Sequence, residues 1–149
     1  MGNHIFNDKS IDEYKMNFQD IQHVLKHSES FLLINTLNIN EQNCILQTTI
    51  KPEVEVDMIN ELIKTGKKHT NIVVYGKNCN DTSVLKKQEQ LKSLGFSRVY
   101  VYIGGMFEWL LLQDIYSETE FPTTKKEFDI LKFKSERKIN QNQLNYRIC

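Results

Sequence analysis

Asn71-Ile72-Val73-Val74-Tyr75-Gly76-Lys77-Asn78-Cys79-Asn80-Asp81-Thr82 is the stretch whose reading decides the fold. Ile72 to Tyr75 are β-branched or aromatic, in a run too short for an independent helix, so a strand is expected there. It ends at Gly76. Asp81 can cap a following helix whose Val84, Leu85, Gln88, Leu91 and Leu94 share one face, and Gly95 suits the left-handed position at that helix's end.

Working upstream, Val54, Met58, Ile59, Leu62 and Ile63 recur at the three-to-four spacing of an amphipathic helix, with Gly66 as its stop. Residues 44–50 read as a short strand ending before Pro52, because a residue preceding proline favours extended geometry. Residues 31–37 are a continuous apolar stretch of the kind a strand buried on both faces requires. Before them, 14–18 alternate like a strand, and 20–26 carry Ile21, Val24 and Leu25 at helical spacing. Downstream, Phe96 turns the chain inward, 99–103 form a fifth strand, Gly104-Gly105 permit a tight bend, and 106–116 read as an apolar-faced helix.

Five strands alternating with helices imply crossover connections and a mainly parallel sheet. In such α/β sheets the ligand site lies beyond the carboxyl ends of the strands. The loop of residues 76–82 is such a place. Past Pro122 the chain becomes rich in Lys, Asn and Gln, with Phe128, Ile130, Leu131 and Phe133 as apolar anchors. The division expected is an N-terminal extension over 1–13, a domain over 14–124, and a C-terminal arm and tail over 125–149, packed up to Phe133 and loose from Gln141 onward.

At 149 residues the chain suits one core, and its nineteen basic and nineteen acidic residues cancel. No global field draws it to nucleic acid or anionic lipid. The apolar runs, such as 31–34 and 109–112, fall far short of the roughly 20 residues a membrane helix needs. Cys44, Cys79 and Cys149 are odd in number and lack CxxC spacing, and the opening residues do not resemble a signal peptide, so a cytoplasmic or otherwise intracellular setting is expected. Gly2 fits an N-myristoylation site, but Phe6 stands where that pattern wants Ser or Thr.

Four pieces taken together, Phe31-Leu32-Leu33-Ile34-Asn35, Asn71-Ile72-Val73-Val74-Tyr75-Gly76, Leu94-Gly95-Phe96 and Val99-Tyr100-Val101-Tyr102-Ile103-Gly104-Gly105 before Trp109, resemble the rhodanese-like domain in order and spacing. The resemblance implies a three-layer α/β domain with a five-stranded, mainly parallel sheet. Active members similar to this pattern place a cysteine immediately after the strand that here ends at Tyr75. They hold a sulfane sulfur on that cysteine, with the next loop curled around it, where backbone N–H groups and a helix N-terminus stabilise anionic sulfur.

In this chain that position is Gly76, which offers no side chain to attack thiosulfate or carry a persulfide. Where family members often present Arg at the end of the loop, the chain reads Asn80-Asp81-Thr82. A carboxylate there opposes anion binding unless it is occupied with capping the helix. An Asp and Arg after the second strand are replaced by Asn35-Thr36-Leu37, and a Gly-His-Ile segment by Asn43-Cys44-Ile45. Only Gly76, Lys77, Asn78, Cys79, Asn80, Asp81 and Thr82 correspond in place to the family's binding loop.

Cys79 is the candidate for an enzyme reading, since it lies in that loop and Lys77 could favour its thiolate. Its offset of three residues from Gly76 means it need not point into the cradle. Cys44 reads as a packed thiol and Cys149 as a terminal one. His4, His23, His27 and His69 are scattered; His23 and His27 have metal-binding spacing without a third ligand, and a solvated helix face is the expectation. Gly104-Gly105 form no nucleotide-binding motif. Trp109 reads as core, with a docking surface as the alternative.

The expected function is that of a catalytically inactive rhodanese-like protein acting as a protein-interaction module, without cofactor or metal. The alternative is a thiol-dependent sulfurtransferase or sulfur carrier using Cys79. A third possibility is anion or phospho-group binding by the loop amides without chemistry.

Overall fold

The computed structural model describes residues 13–139. The expectations for Gly2, His4, Cys149 and the tail from Gln141 lie outside those residues. Four strands form one fully parallel sheet: β1 (Lys15–Met16), β2 (Phe31–Asn35), β3 (Asn71–Tyr75) and β4 (Val99–Tyr102), in the order β1-β4-β3-β2. Between them run α1 (Phe18–Lys26), α2 (Pro52–Lys64) and α3 (Ser83–Ser93), and α4 (Gly105–Ile115) follows β4.

The sheet splits its side chains by the two-residue alternation of a strand. Leu33, Val73, Tyr75 and Tyr102 face one layer with Ile21 and Val24 of α1 and Met106, Trp109 and Leu110 of α4. Ile34, Ile72, Val74, Val99 and Val101 face the other, with Ile59 of α2 and Val84 and Leu91 of α3. The result is a three-layer α/β domain with Val73 and Val101 in the two interior strands, both buried. Trp109 is core: it is fully buried, stacks edge-on against Tyr102 and Phe121, and its indole N–H donates to the Pro122 carbonyl at 3.2 Å.

The expected five strands are corrected to four, because residues 44–50 do not form one. They make only two isolated bridges, Leu33 with Thr49 and Leu46 with Thr123. The cause lies elsewhere in the chain. Tyr75's hydroxyl accepts the Leu46 N–H at 3.2 Å and lies 2.7 Å from Thr49 Oγ1, so a side chain takes the place of a ladder partner. Thr48 then turns with φ 66°, a left-handed conformation that a β-branched residue rarely adopts and that ends the extended run. The first strand is also shorter than expected. Asn17 begins a capping box, accepting the Asp20 N–H at 3.0 Å while Asp20 accepts the Asn17 N–H at 2.9 Å, and so starts α1 at Phe18.

Of the four expected anchors in the arm, Phe133 is fully buried, at the end of a 3-10 turn over Ile130–Phe133, and Ile130 packs partly against the same core. Phe128 and Leu131 are instead 87% and 62% exposed. One short turn can aim only part of its side chains at the domain. No helix among the described residues is long and apolar enough to cross a membrane.

Candidate functional site

The loop of residues 76–82 leaves the carboxyl end of β3, an interior strand, and enters α3. It is held from below by α4, whose first turn gives its spare N–H groups to the loop: Met106 N–H donates to the Gly76 carbonyl at 3.0 Å and Phe107 N–H to the Lys77 carbonyl at 2.9 Å. Gly105 makes this approach possible. It has φ 66°, and a Cβ there would lie 2.7 Å from the Gly76 oxygen and 3.0 Å from the Asn78 nitrogen.

The loop's polar groups close on one another. Asp81 accepts the Lys77 N–H on Oδ2 at 2.9 Å, and on Oδ1 both the Ser83 N–H at 3.0 Å and the Ser83 hydroxyl. Ser83 Oγ also lies 2.8 Å from Thr36 Oγ1, which joins the end of β2 to the start of α3. Asn78 is buried, accepts the Asn80 N–H at 3.0 Å, and donates from Nδ2 to the Phe133 carbonyl of the arm at 3.0 Å. The expected capping by Asp81 is thus present at the Ser83 N–H, although the residue immediately before the helix is Thr82, which makes no side-chain cap.

Gly76 is itself buried, and its surroundings leave no room for a side chain. A Cβ there would run into Asp81 Oδ2, and would lie 2.6 Å from Val84 Cγ2 and 2.9 Å from Thr36 Oγ1. Asp81 cannot swing away without breaking three hydrogen bonds.

Cys79 sits at the outer tip of the loop, exposed, with its sulfur 3.9 Å from Asn80 Oδ1 and absent from the cleft lining. Lys77 does not serve it: its ammonium is 2.9 Å from the Glu41 carboxylate. Cys44 is buried and donates to the Lys125 carbonyl at 3.2 Å, and burial pushes its thiol above the ordinary value. The rings of His23, on α1, and His27, just past its end, stack 4.1 Å apart, and no group of three or more metal-ligating side chains occurs among the described residues.

Above the loop lies an open cleft of about 390 Å³, walled by Thr36, Asn38 and Glu41 on one side and by Lys134, Glu136 and Lys138 of the arm on the other. The lining is polar and carries both signs of charge. Thr36 and Ser83, and the arm's part in the cleft, are elements that sequence reasoning missed. A hydroxyl directly after Asn80-Asp81-Thr82 was the available signal for Ser83; nothing local pointed to Phe133 and Asn78 as partners 55 residues apart.

The rhodanese-like domain family matches residues 9–112, and the chain belongs to that family. Its fold is similar to several solved structures. A protein of Bacillus halodurans is 20% identical with a TM-score of 0.56, covering 73% of this chain and 80% of its own. A Lactobacillus plantarum protein is 13% identical with a TM-score of 0.56, covering 75% and 94% respectively. The rhodanese-like domain of an Anabaena sp. protein is 18% identical with a TM-score of 0.51, covering 86% and 95%. At these identities the likeness speaks for the fold alone. No curated protein matches the chain.

Proposed function

We propose that this chain is a catalytically inactive rhodanese-like protein that acts as a protein-interaction module. The observation that carries the reading is the closed surrounding of Gly76, the position corresponding to the sulfur-carrying cysteine of active relatives. The residue has no nucleophile, and Asp81, Val84 and Thr36 fill the space one would occupy. Cys79 is a poor replacement, since it is exposed and its sulfur's contact is the Asn80 Oδ1 at 3.9 Å, an acceptor that does nothing to stabilise a thiolate or persulfide.

The binding half of the reading is supported by large apolar side chains left exposed on the arm and on the turn beside the cleft. These are Phe128, Leu131 and, at 85% exposure, Ile39. Function resides in such surfaces once a fold has no chemistry of its own.

The test has two arms. With thiosulfate and cyanide the purified protein is expected to release no thiocyanate above the uncatalysed rate and to carry no persulfide. Turnover that disappears in Cys79→Ser would instead establish the sulfurtransferase or sulfur-carrier reading. In affinity capture from the native source, a bound protein is expected that is lost with the Ile39→Ser/Phe128→Ser/Leu131→Ser variant; equal recovery by both would count against the interaction surface.

A further inference from the structure

The connections that lead into the two interior strands, residues 61–70 before β3 and 92–98 before β4, lie side by side at the amino ends of the sheet. They are tied to each other: the Ser97 N–H donates to the Lys68 carbonyl at 3.2 Å, and His69 Nδ1 lies 3.1 Å from Ser97 Oγ. Lys68 also reaches across, since a Cβ at Gly95 would lie 2.8 Å from its Nζ. Together the two connections carry Lys64, Lys67, Lys68, Lys92 and Arg98 against a single acid, Glu61. All of these cations but the half-buried Lys68 are exposed.

Elsewhere in the domain cations meet carboxylates, as Lys77 does Glu41, Lys87 Glu55, Lys126 Glu118 and Lys132 Glu127. The ion pairs among the described residues engage none of the cations at this end. The helix macrodipole favours a cation in a helix's last turn and so accounts for Lys64 and Lys92. Lys67, Lys68 and Arg98 stand outside the helices, where it gives no reason for them. Like charges gathered in this way repel one another, and a ligand of opposite sign relieves that repulsion.

We propose that this end of the domain is a docking strip for an acidic polypeptide segment, rich in Asp and Glu, carried by a partner protein. The strip lies at the opposite end of the strands from the loop of residues 76–82. It shares no residue with the surface marked by Ile39, Phe128 and Leu131, so either can fail without the other.

The strand order β1-β4-β3-β2 gives the strip its shape. The excess of cations falls on the two middle connections, whose strands run about 4.8 Å apart. On the flanks charges cancel in the sequence, Glu13 with Lys15 before β4's neighbour β1 and Glu29 with Lys26 before β2. A membrane is a plane and would meet the whole end of the domain, neutral flanks included; a narrow anionic chain meets the middle alone. Single-stranded nucleic acid gains much of its affinity by stacking bases on open aromatic rings. The phenol ring beside the strip is not open: Lys92 Nζ stands 5.0 Å from the centre of the Tyr14 ring, and the Tyr100 ring packs on it at 5.3 Å.

The experiment is a titration of the full chain, labelled with nitrogen-15, with an oligoglutamate peptide, an oligoglutamine control, an oligouridylate and vesicles containing phosphatidylserine. Oligoglutamate is expected to give saturable shifts concentrated on the backbone amides of 64–70 and 92–98, and oligoglutamine none. Raising the salt from 0.01 to 0.1 M shortens the screening length from about 30 to about 10 Å and should weaken the binding. Lys67→Glu/Arg98→Glu is expected to weaken it at least about tenfold. Lys51→Glu/Lys86→Glu makes the same change in net charge on exposed residues at the starts of α2 and α3, and should stay within about twofold of wild type.

Absence of saturable shifts, shifts centred elsewhere on the domain, or equal losses in the two variants would overturn the proposal. Tighter binding of oligouridylate or of the vesicles at the same salt would overturn the choice of a polypeptide. Should Lys67→Glu/Arg98→Glu fail to fold, Lys67→Gln/Arg98→Gln decides: undiminished binding by that variant would overturn the strip.

Discussion

The loop of residues 76–82 and the arm of residues 125–139 meet at one hydrogen bond, Asn78 Nδ2 to the Phe133 carbonyl, and are built on opposite plans. The loop is a closed polar circuit, in which Asp81 and Asn78 each serve more than one neighbour. The arm is held by a few separated ties: Phe133 in the core, the Cys44 thiol on the Lys125 carbonyl, and, at the residue just before it, the Thr124 N–H on the Ile45 carbonyl at 2.9 Å. A change inside the circuit disturbs several partners at once, whereas the effect of a change in the arm depends on whether it touches a tie.

The sharpest test of that contrast lies within the arm. Phe133→Ala removes a fully buried ring and should cost about 3–5 kcal/mol in chemical denaturation. A smaller loss would mean that the arm is not anchored there. In the loop, Gly76→Ala forces a Cβ onto Asp81, Val84 and Thr36 and should cost about 1–3 kcal/mol. Adding Asp81→Gly should recover part of that cost, with a coupling of at least about 0.5 kcal/mol, and strict additivity would show that the two residues do not share the space.

The smallest expected effect on stability belongs to Phe128→Ala and Leu131→Ala, each within about 0.5 kcal/mol because both side chains stand in solvent. A rate comparison adds a further check. With Cys149→Ser as background, Cys79 should react with a thiol reagent in the native protein while Cys44 is protected. Burial under the arm both shields the Cys44 thiol and pushes its pKa up, so less thiolate is present at neutral pH. Phe133→Ala should raise the Cys44 rate and leave that of Cys79 unchanged; an unaltered Cys44 rate would separate the arm from its protection.

Much of the frame was legible. The apolar runs at 31–35, 71–75 and 99–102 became parallel strands because each must be buried from two sides, and the helices between them form where the amphipathic spacing puts them, but of the faces expected Val54, Met58, Leu85 and Leu94 stand exposed while Ile59, Val84 and Leu91 are buried. Residues 44–50 misled for a non-local reason, since the hydroxyl that takes the Leu46 N–H belongs to Tyr75, in another strand. Asp81 was legible as a cap. Its bond back to Lys77 was not, because that depends on how the loop curls over Gly105, where the sequence suggested only a bend. In the arm, composition marked the presence of anchors, but the choice of Phe133 over Phe128 is a matter of direction within one short turn.

On the proposed reading the base of the loop is no sulfur site, because Asp81 Oδ2 stands where a side chain at residue 76 would project. The most direct measurement is thiocyanate formation from thiosulfate and cyanide by purified Gly76→Cys beside Gly76→Cys/Asp81→Gly and Gly76→Cys/Asp81→Arg, each first checked for a native fold. Gly76→Cys alone is expected to remain at the uncatalysed rate, since its side chain collides with Asp81 and its thiolate would face that carboxylate. Any activity should appear first in the double variants. Robust turnover by Gly76→Cys alone would show that only the nucleophile was missing and would contradict the account of the loop.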